Sequence, residues 1–270
     1  MKYQTEAGLS ALDVPEVLAV LFHPRPELGA APALPPSCDL MIPVEAEVSV
    51  GARFHIADES APNILFFHGN GEIVADYHDL GALYNRMGIN FLAVDYRGYG
   101  RSGGQPTVVS MMADCHRIFE FTRTWLHEQR HRGPLVVMGR SLGSASAIEL
   151  ASAHRQAVAG LVVESGFASA GPLLRLLGID PATLGFDESR SFRNVDKINT
   201  VDMPTVIIHA EHDHIISVQE GQTLFDACGS AQKVFVKIPG ANHNDIFMRG
   251  LDAYIGAVKQ LTDLTLAAAG

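Results

Sequence analysis

In "PLVVMGRSLGSASAIELA", residues 134–151, an apolar run stops at a glycine and a run of helix formers follows. Between them Gly139-Arg140-Ser141-Leu142-Gly143 has the form G-x-S-x-G. A serine on a sharp strand-to-helix turn is held in a strained backbone conformation. Side chains two residues to either side would collide, so both positions require glycine. Such a turn lifts the hydroxyl clear of a sheet and aims the Leu142 amide, at a helix N-terminus, toward developing negative charge. A serine is a weak nucleophile unless a base takes its proton, and the base needs an acid to orient it. Two later loops supply both. Asp213 follows the apolar run "TVIIHA" and His243 follows "KVFVKIPG", giving the chain order serine, acid, histidine. Glu164, at the end of "GLVVE", is an alternative acid. In "FFHGNGE", Phe66 to Glu72, small residues follow the first central strand, and the Asn70 amide is placed to complete an oxyanion hole with that of Leu142. The chemistry expected of this set is acyl transfer to water through a covalent intermediate on Ser141.

Two other motifs compete. "HAEHDH", residues 209–214, resembles the H-x-H-x-D-H pattern of dinuclear metallohydrolases, with Glu211 where a histidine should be. A metal-dependent hydrolase built on the His209–His214 cluster is therefore an alternative, one that needs further ligands from distant loops such as His68, His78 or His243 and leaves the serine motif unexplained. "DYRGYGRSGG" contains Gly98-x-Gly100-x-x-Gly103, a literal dinucleotide fingerprint. Here "GGQPT" follows where the pyrophosphate-binding helix should open, and proline blocks it. A structural turn is expected instead. A third alternative is a catalytically inactive binding module.

The elements that position these residues follow from periodicity. "DLMIPVEAEVSV" and "GARFHIA" alternate and predict an antiparallel hairpin. "NILFFHG", "NFLAVDY", "PLVVMG", "GLVVES", "TVIIHA" and "KVFVKIPG" are short, β-branched and apolar on both faces, as strands buried on both sides of a parallel sheet are. Helical patterns over 73–87, 108–130, 142–154, 218–228 and 244–266 alternate with them. The alternation predicts an α/β fold with a mostly parallel, eight-stranded sheet and helices on both faces, as one domain over residues 1–270. A short helix over 13–22 and a proline-rich lead-in through residue 38 precede it, and residues 168–201 read as a small lid excursion. Ligands of such sheets bind beyond the carboxyl ends of the strands, where the chemical residues above all fall.

Composition narrows the partners. Apolar residues make up 47% of the 270, enough for a sizeable core. Thirty acids against twenty bases give a net charge of −10, which disfavours nucleic acid and anionic membrane as partners. Three widely spaced cysteines fit a reducing compartment rather than a disulfide framework or a thiolate metal site. With no signal-peptide pattern and no apolar run long enough to span a bilayer, a cytoplasmic protein without a stable membrane anchor is expected. Its partner is then a small-molecule or acylated substrate, and the chemistry requires no metal or organic cofactor.

"HGN", "DYRGYGRSGG", "GRSLGS", "IIHAEHDHIIS" and "GANHND" together resemble the α/β-hydrolase superfamily over most of the chain, from about Leu40 onward. More narrowly the sequence resembles the BEM46-like serine hydrolases, among them the α/β-hydrolase domain-containing proteins 13 and 17, and "LFHPRPE" near the N-terminus fits that group. The resemblance implies a Ser141–His243–Asp213 triad with oxyanion amides from Asn70 and Leu142. The sequence departs from the group's "HGxxD" in carrying Ala210 for the glycine. Membrane-attached relatives carry cysteine-rich N-termini, and no cysteine precedes Cys38 here, so lipid anchoring is not carried over.

Overall fold

The computed structural model describes residues 9–29, 36–184 and 186–269, with the backbone alone for Arg190. Eight strands form one sheet in the order β1-β2-β4-β3-β5-β6-β7-β8. They are β1 (Ser37–Glu45), β2 (Val48–His55), β3 (Asn63–Phe67), β4 (Asn90–Val94), β5 (Leu135–Arg140), β6 (Gly160–Glu164), β7 (Thr205–Ala210) and β8 (Lys233–Ile238). The β1–β2 hairpin and the β2–β4 pair are antiparallel, and every pairing from β4 through β8 is parallel. Every residue of β3, β4, β5, β6 and β7 is buried, because helices cover both faces.

The helices are α1 (Pro15–Leu21), α2 (His78–Arg86), α3 (Val108–Glu128), α4 (Gly143–Ala153), α5 (Ala170–Leu176), α6 (Asn194–Ile198), α7 (Val218–Ala227) and α8 (Ile246–Ala269). Strand alternation divides the core in two. One face carries Leu65, Val137, Leu161, Val163 and Ile207 against α1 and α3 through α7. The other carries Phe66, Met138, Val162 and Ile208 against Tyr84 of α2 and Tyr254, Val258 and Leu261 of α8.

Local chemistry redraws several expected boundaries. The helix expected over 73–87 begins as a 3₁₀ turn, Val74–Tyr77, before α2. Asp76 takes the Ile73 amide at 2.9 Å and Asp95 takes the Val74 amide at 2.9 Å, so carboxylates replace helix carbonyls there. Asp13 does not open α1, which starts at Pro15. Its carboxylate accepts the Val108 and Val109 amides at 2.6 and 3.3 Å and caps α3, a helix ninety-odd residues away in the chain. The final helix breaks at Gly250 (φ −146°, ψ 33°), where a Cβ would stand 2.4 Å from Cγ2 of Ile238. β8 is not buried on both sides as its composition suggested. It closes one edge of the sheet, with Val234 45% exposed, and Lys237 pairs with Glu211 beside it.

The 168–201 segment runs as α5, two 3₁₀ turns (Pro181–Leu184 and Glu188–Arg190) and α6. Glu188 accepts the Ala170 and Gly171 amides at 2.8 and 2.9 Å, and Glu220 of α7 accepts those of Ala168 and Ser169 at 2.8 and 3.0 Å. Its "PLLRLL" run divides its labour: Leu174 is buried in the core while Leu176 is 53% exposed.

A second polar tie joins three helices. Glu149 of α4 accepts from His116 Nε2 of α3 at 3.0 Å and pairs with Lys197 Nζ of α6 at 2.6 Å. Burial opposes its charge, but His116 and Lys197 outweigh burial and hold its carboxyl at about 2. A depressed carboxyl stabilises the fold above its unfolded value, about 4.3, and that stability fades as pH falls through the folded value. Glu149→Gln should therefore cost about 3 kcal/mol at pH 7 and about half that at pH 3. Urea unfolding of both proteins across that range checks it; a gap that does not narrow on acidification sinks the assignment.

Candidate active site

The turn after β5 has the conformation its glycines foretell. Ser141 has φ +51°, in the left-handed region. A Cβ on Gly139 would meet the Gly143 carbonyl oxygen at 2.2 Å, and one on Gly143 would meet the Phe67 carbonyl oxygen at 2.2 Å. The close approach lets α4 begin directly over β3 and β5. Ser141 N–H donates to the Glu164 carbonyl at 2.8 Å, and Ser144 donates to the Ser141 carbonyl through both its amide (3.0 Å) and its hydroxyl (2.6 Å).

Beyond β7 the chain turns around a carboxylate. Asp213 Oδ1 accepts the Ile215 and Ile216 amides at 3.0 and 2.8 Å, while Oδ2 accepts the His243 Nδ1 proton at 2.7 Å. His243 Nε2 lies 3.1 Å from Ser141 Oγ. The side chains of Asp213 and His243 are 0% and 5% exposed, so this relay of two hydrogen bonds runs out of water's reach. Burial pushes the Asp213 carboxyl up, but the His243 hydrogen bond and the two amides prevail and leave it below its ordinary value. His212 N–H donates to the Ala241 carbonyl at 2.8 Å, tying the acid loop to the histidine loop. Ala210, in place of glycine, is fully buried and pairs with Ile238 of β8, so its methyl is accommodated in the core.

The alternative acid lies elsewhere. Glu164 is fully buried, but its carboxylate accepts from Arg140 Nη1 at 3.1 Å and from the Tyr254 hydroxyl at 2.7 Å. Burial raises it against the pull of Arg140. Asp213, not Glu164, is hydrogen-bonded to His243. The metal alternative also dissolves into separate roles. His209 is buried beneath the acid turn and donates through Nε2 to the Ile216 carbonyl at 2.8 Å, His212 is exposed, and Glu211 pairs with Lys237. Among the described residues no three His, Cys, Asp or Glu side chains converge where a metal ion could be held. The "GYGRSGG" turn is structural. Gly100 meets Pro26 in a parallel bridge, and a Cβ there would meet Asp95 Oδ2 at 2.0 Å.

The Asn70 loop is held from two sides. Its side chain points away from Ser141: Oδ1 accepts the His23 amide at 2.7 Å and the Tyr99 hydroxyl at 2.8 Å, and Arg25 Nε donates to the Gly71 carbonyl at 2.8 Å. From below, Glu72 Oε2 accepts the Gly69 amide at 2.6 Å. Among the described residues the backbone amides of Asn70 and Leu142 have no protein acceptor. His23, Arg25 and Glu72 escape a motif search because each ties the site to a segment distant in sequence, His23 to Asn70, Arg25 to Gly71 and Glu72 to Arg140.

A cavity of about 200 Å³ lies between α5 and the loop after β7, lined by Phe167, Pro172, Leu173, Leu176, Ile215 and Ile216, with Asp213 at its wall. A larger depression, about 730 Å³ around Arg130, His131 and Arg132, lies at the other end of the sheet, before β5, remote from these groups.

Residues 58–180 match the family model described as serine aminopeptidase, S33. The chain is 30% identical over 208 residues to human alpha/beta hydrolase domain-containing protein 17B (75% of this chain, 67% of that one). To protein bem46 of Schizosaccharomyces pombe it is 27% identical over 190 residues (69% and 63%). It spans between 58% and 67% of the length of the curated relatives heading the comparison. Among solved structures, the Pyrococcus furiosus esterase Pf2001 superposes with a TM-score of 0.72 over 90% of this chain and 99% of that one at 19% identity, a likeness of fold. No helix among the described residues is long and apolar enough to cross a membrane.

The strain at Ser141 is measurable by itself. Ser141→Gly and Ser141→Ala lose the same hydroxyl, but only glycine relaxes at φ +51°. Ser141→Gly should be the more stable of the two by about 1 kcal/mol in urea unfolding. Equal midpoints would remove the strain argument.

Proposed function

The chain belongs to the BEM46-like branch of the α/β-hydrolase family, and on that premise we propose that it is a serine hydrolase that cleaves an ester or thioester through an acyl-enzyme. One observation carries the reading: Ser141 Oγ lies 3.1 Å from His243 Nε2 while Asp213 holds His243 Nδ1 at 2.7 Å. His243 takes the Ser141 proton as the oxygen attacks the acyl carbonyl. Asp213 fixes the imidazole tautomer and stabilises the imidazolium that forms. The amides of Leu142 and Asn70, without acceptors among the described residues, receive the oxyanion. His243 then protonates the leaving group, and in the second half it activates water against the acyl-enzyme.

The apolar cavity beside Asp213 suits the acyl chain. At about 200 Å³ it is smaller than the roughly 300 Å³ that begins the range for drug-sized ligands, which favours short-to-medium chains. The Pf2001 neighbour is called an esterase in its own description, which supports ester chemistry on this fold.

A fluorophosphonate probe should label Ser141, and Ser141→Ala should be neither labelled nor active. Asp213→Asn should lower kcat by about 10⁴-fold with the fold intact, because the imidazole is left in the wrong tautomer. Across p-nitrophenyl esters of rising chain length, turnover should peak at short-to-medium chains and be indifferent to chelators. Retained activity in purified Ser141→Ala would overturn the assignment.

A further inference from the structure

Arg140 is the only charged residue of the G-x-S-x-G segment, and it is turned inward, 6% exposed. Its guanidinium meets two loops and the end of β6 at once. Nε donates to Glu72 Oε1 at 2.8 Å, Nη1 to Glu164 Oε1 at 3.1 Å, and Nη2 to the His243 carbonyl at 3.1 Å. Each partner is fixed in turn. Glu72 Oε2 accepts the Gly69 amide at 2.6 Å and the Tyr77 hydroxyl at 2.5 Å, and Glu164 Oε2 accepts the Tyr254 hydroxyl at 2.7 Å. The carboxylate of Glu72 lies so close under the loop that a Cβ on Gly69 would stand 2.8 Å from Oε2. The register of the sheet produces the cluster: Arg140 is paired with Glu164 across β5 and β6.

The one guanidinium offsets part of the charge of two carboxylates, which a neutral residue could not do. Burial opposes the Arg140 charge, but Glu164 and Glu72 outweigh it and hold the guanidinium protonated, above its ordinary value. Burial likewise opposes ionisation of Glu72, yet Arg140 and the Tyr77 hydroxyl keep its carboxyl below the usual range. A planar fork with five donors can serve three acceptors in fixed directions, and an ammonium on a flexible stem cannot.

We propose that Arg140 is a positioning residue: through Glu72 it fixes the loop that presents the Asn70 amide, and through the His243 carbonyl it fixes the imidazole, both relative to Ser141. The inference rests on the serine-hydrolase reading of the site. Arg140 touches no reacting atom. Its effect on the reaction passes through the distances between the hydroxyl, the imidazole and the oxyanion donors, where a displacement of about 1 Å can cost about 10²-fold.

The test compares wild type, Arg140→Gln, Arg140→Lys, Glu72→Gln and Val258→Ala. The last removes buried volume under the same face of the sheet in α8 without touching a hydrogen bond of the cluster. Each is measured for Tm, for kcat and KM on p-nitrophenyl acetate, and for the rate of fluorophosphonate labelling of Ser141. Arg140→Gln should lose about 10- to 100-fold in kcat and in labelling rate with KM changed less than about twofold. Arg140→Lys should recover part of that loss, and Glu72→Gln should fall between wild type and Arg140→Gln. Val258→Ala should lower Tm while keeping kcat. Should Arg140→Gln fail to fold, Glu72→Gln and Arg140→Lys carry the comparison. Unchanged kcat and labelling in the folded variants, or losses in Val258→Ala that match theirs at equal Tm, would overturn the role of Arg140 alone. Absence of labelling in the wild type would overturn the reading of the site, and this inference with it.

Discussion

The structure around the carboxyl ends of the central strands depends on one backbone constraint, the left-handed turn at Ser141. A non-glycine residue there costs on the order of 1–3 kcal/mol, and it persists only because its neighbours leave no alternative. Gly139 and Gly143 let β5, α4 and β3 approach within van der Waals contact, and the amide of Ser141 continues the sheet's ladder onto the Glu164 carbonyl. The neighbouring strand repeats the device. Ser165 also has positive φ (+45°), and its amide continues the ladder onto the Ile208 carbonyl. Two adjacent strands thus end in the same strained way, and Ser165 supports the Ser141 turn from the side. Relaxing Ser141 toward a helical or extended conformation would break a sheet bond and a helix start together.

Beneath that turn the two faces of the sheet divide the work. The face under α3 and α4 is apolar up to the elbow, and it sets the height of the serine by packing. The face under α2 and α8 ends in a buried polar cluster of Arg140, Glu72, Glu164, Tyr77 and Tyr254. Buried ion pairs add little net stability, because desolvation offsets much of their attraction, but removing one partner is strongly unfavourable. Their effect is directional. A close-packed apolar end would leave the loops after β3 and β8 free to slide, whereas a fork of charge-assisted hydrogen bonds gives each one position.

Much of this was legible in the sequence, for reasons that can be named. The elbow is legible because steric exclusion of a side chain leaves glycine as the only residue, at a fixed spacing, between a strand pattern and a helix pattern. Asp213 and His243 are legible because strands in a parallel sheet end on one edge, so the residue just past each apolar run is placed by topology. Choosing between Asp213 and Glu164 needed the direction of a side chain. Glu164 is in the strand proper and shares a face with Arg140, whereas Asp213 lies three residues past β7 in a turn that curls toward His243. The period-two parity of β5 and β6 carries part of that answer, since it places Arg140 and Glu164 on one face. The β8 edge was misread because composition reports a strand's apolar content and not its neighbours. The links of Asp13 to α3, His23 to Asn70 and Arg140 to Glu72 join segments dozens of residues apart, and no local pattern marks them.

Net charge invites a simpler inference, that an acidic chain surrounds its site with negative potential and repels anionic substrates. The positions of several acids show that they have structural uses as well. Glu72 and Glu164 are bound to Arg140, Asp213 to His243 and two amides, Glu188 and Glu220 to the amides that open the lid segment, and Asp13 to the start of α3. Each of these carboxylates accepts hydrogen bonds from donors the fold would otherwise leave unpaired. The cavity beside Asp213 is walled mainly by Phe167, Pro172, Leu173, Leu176, Ile215 and Ile216. These hydrogen-bonded acids therefore act first on architecture.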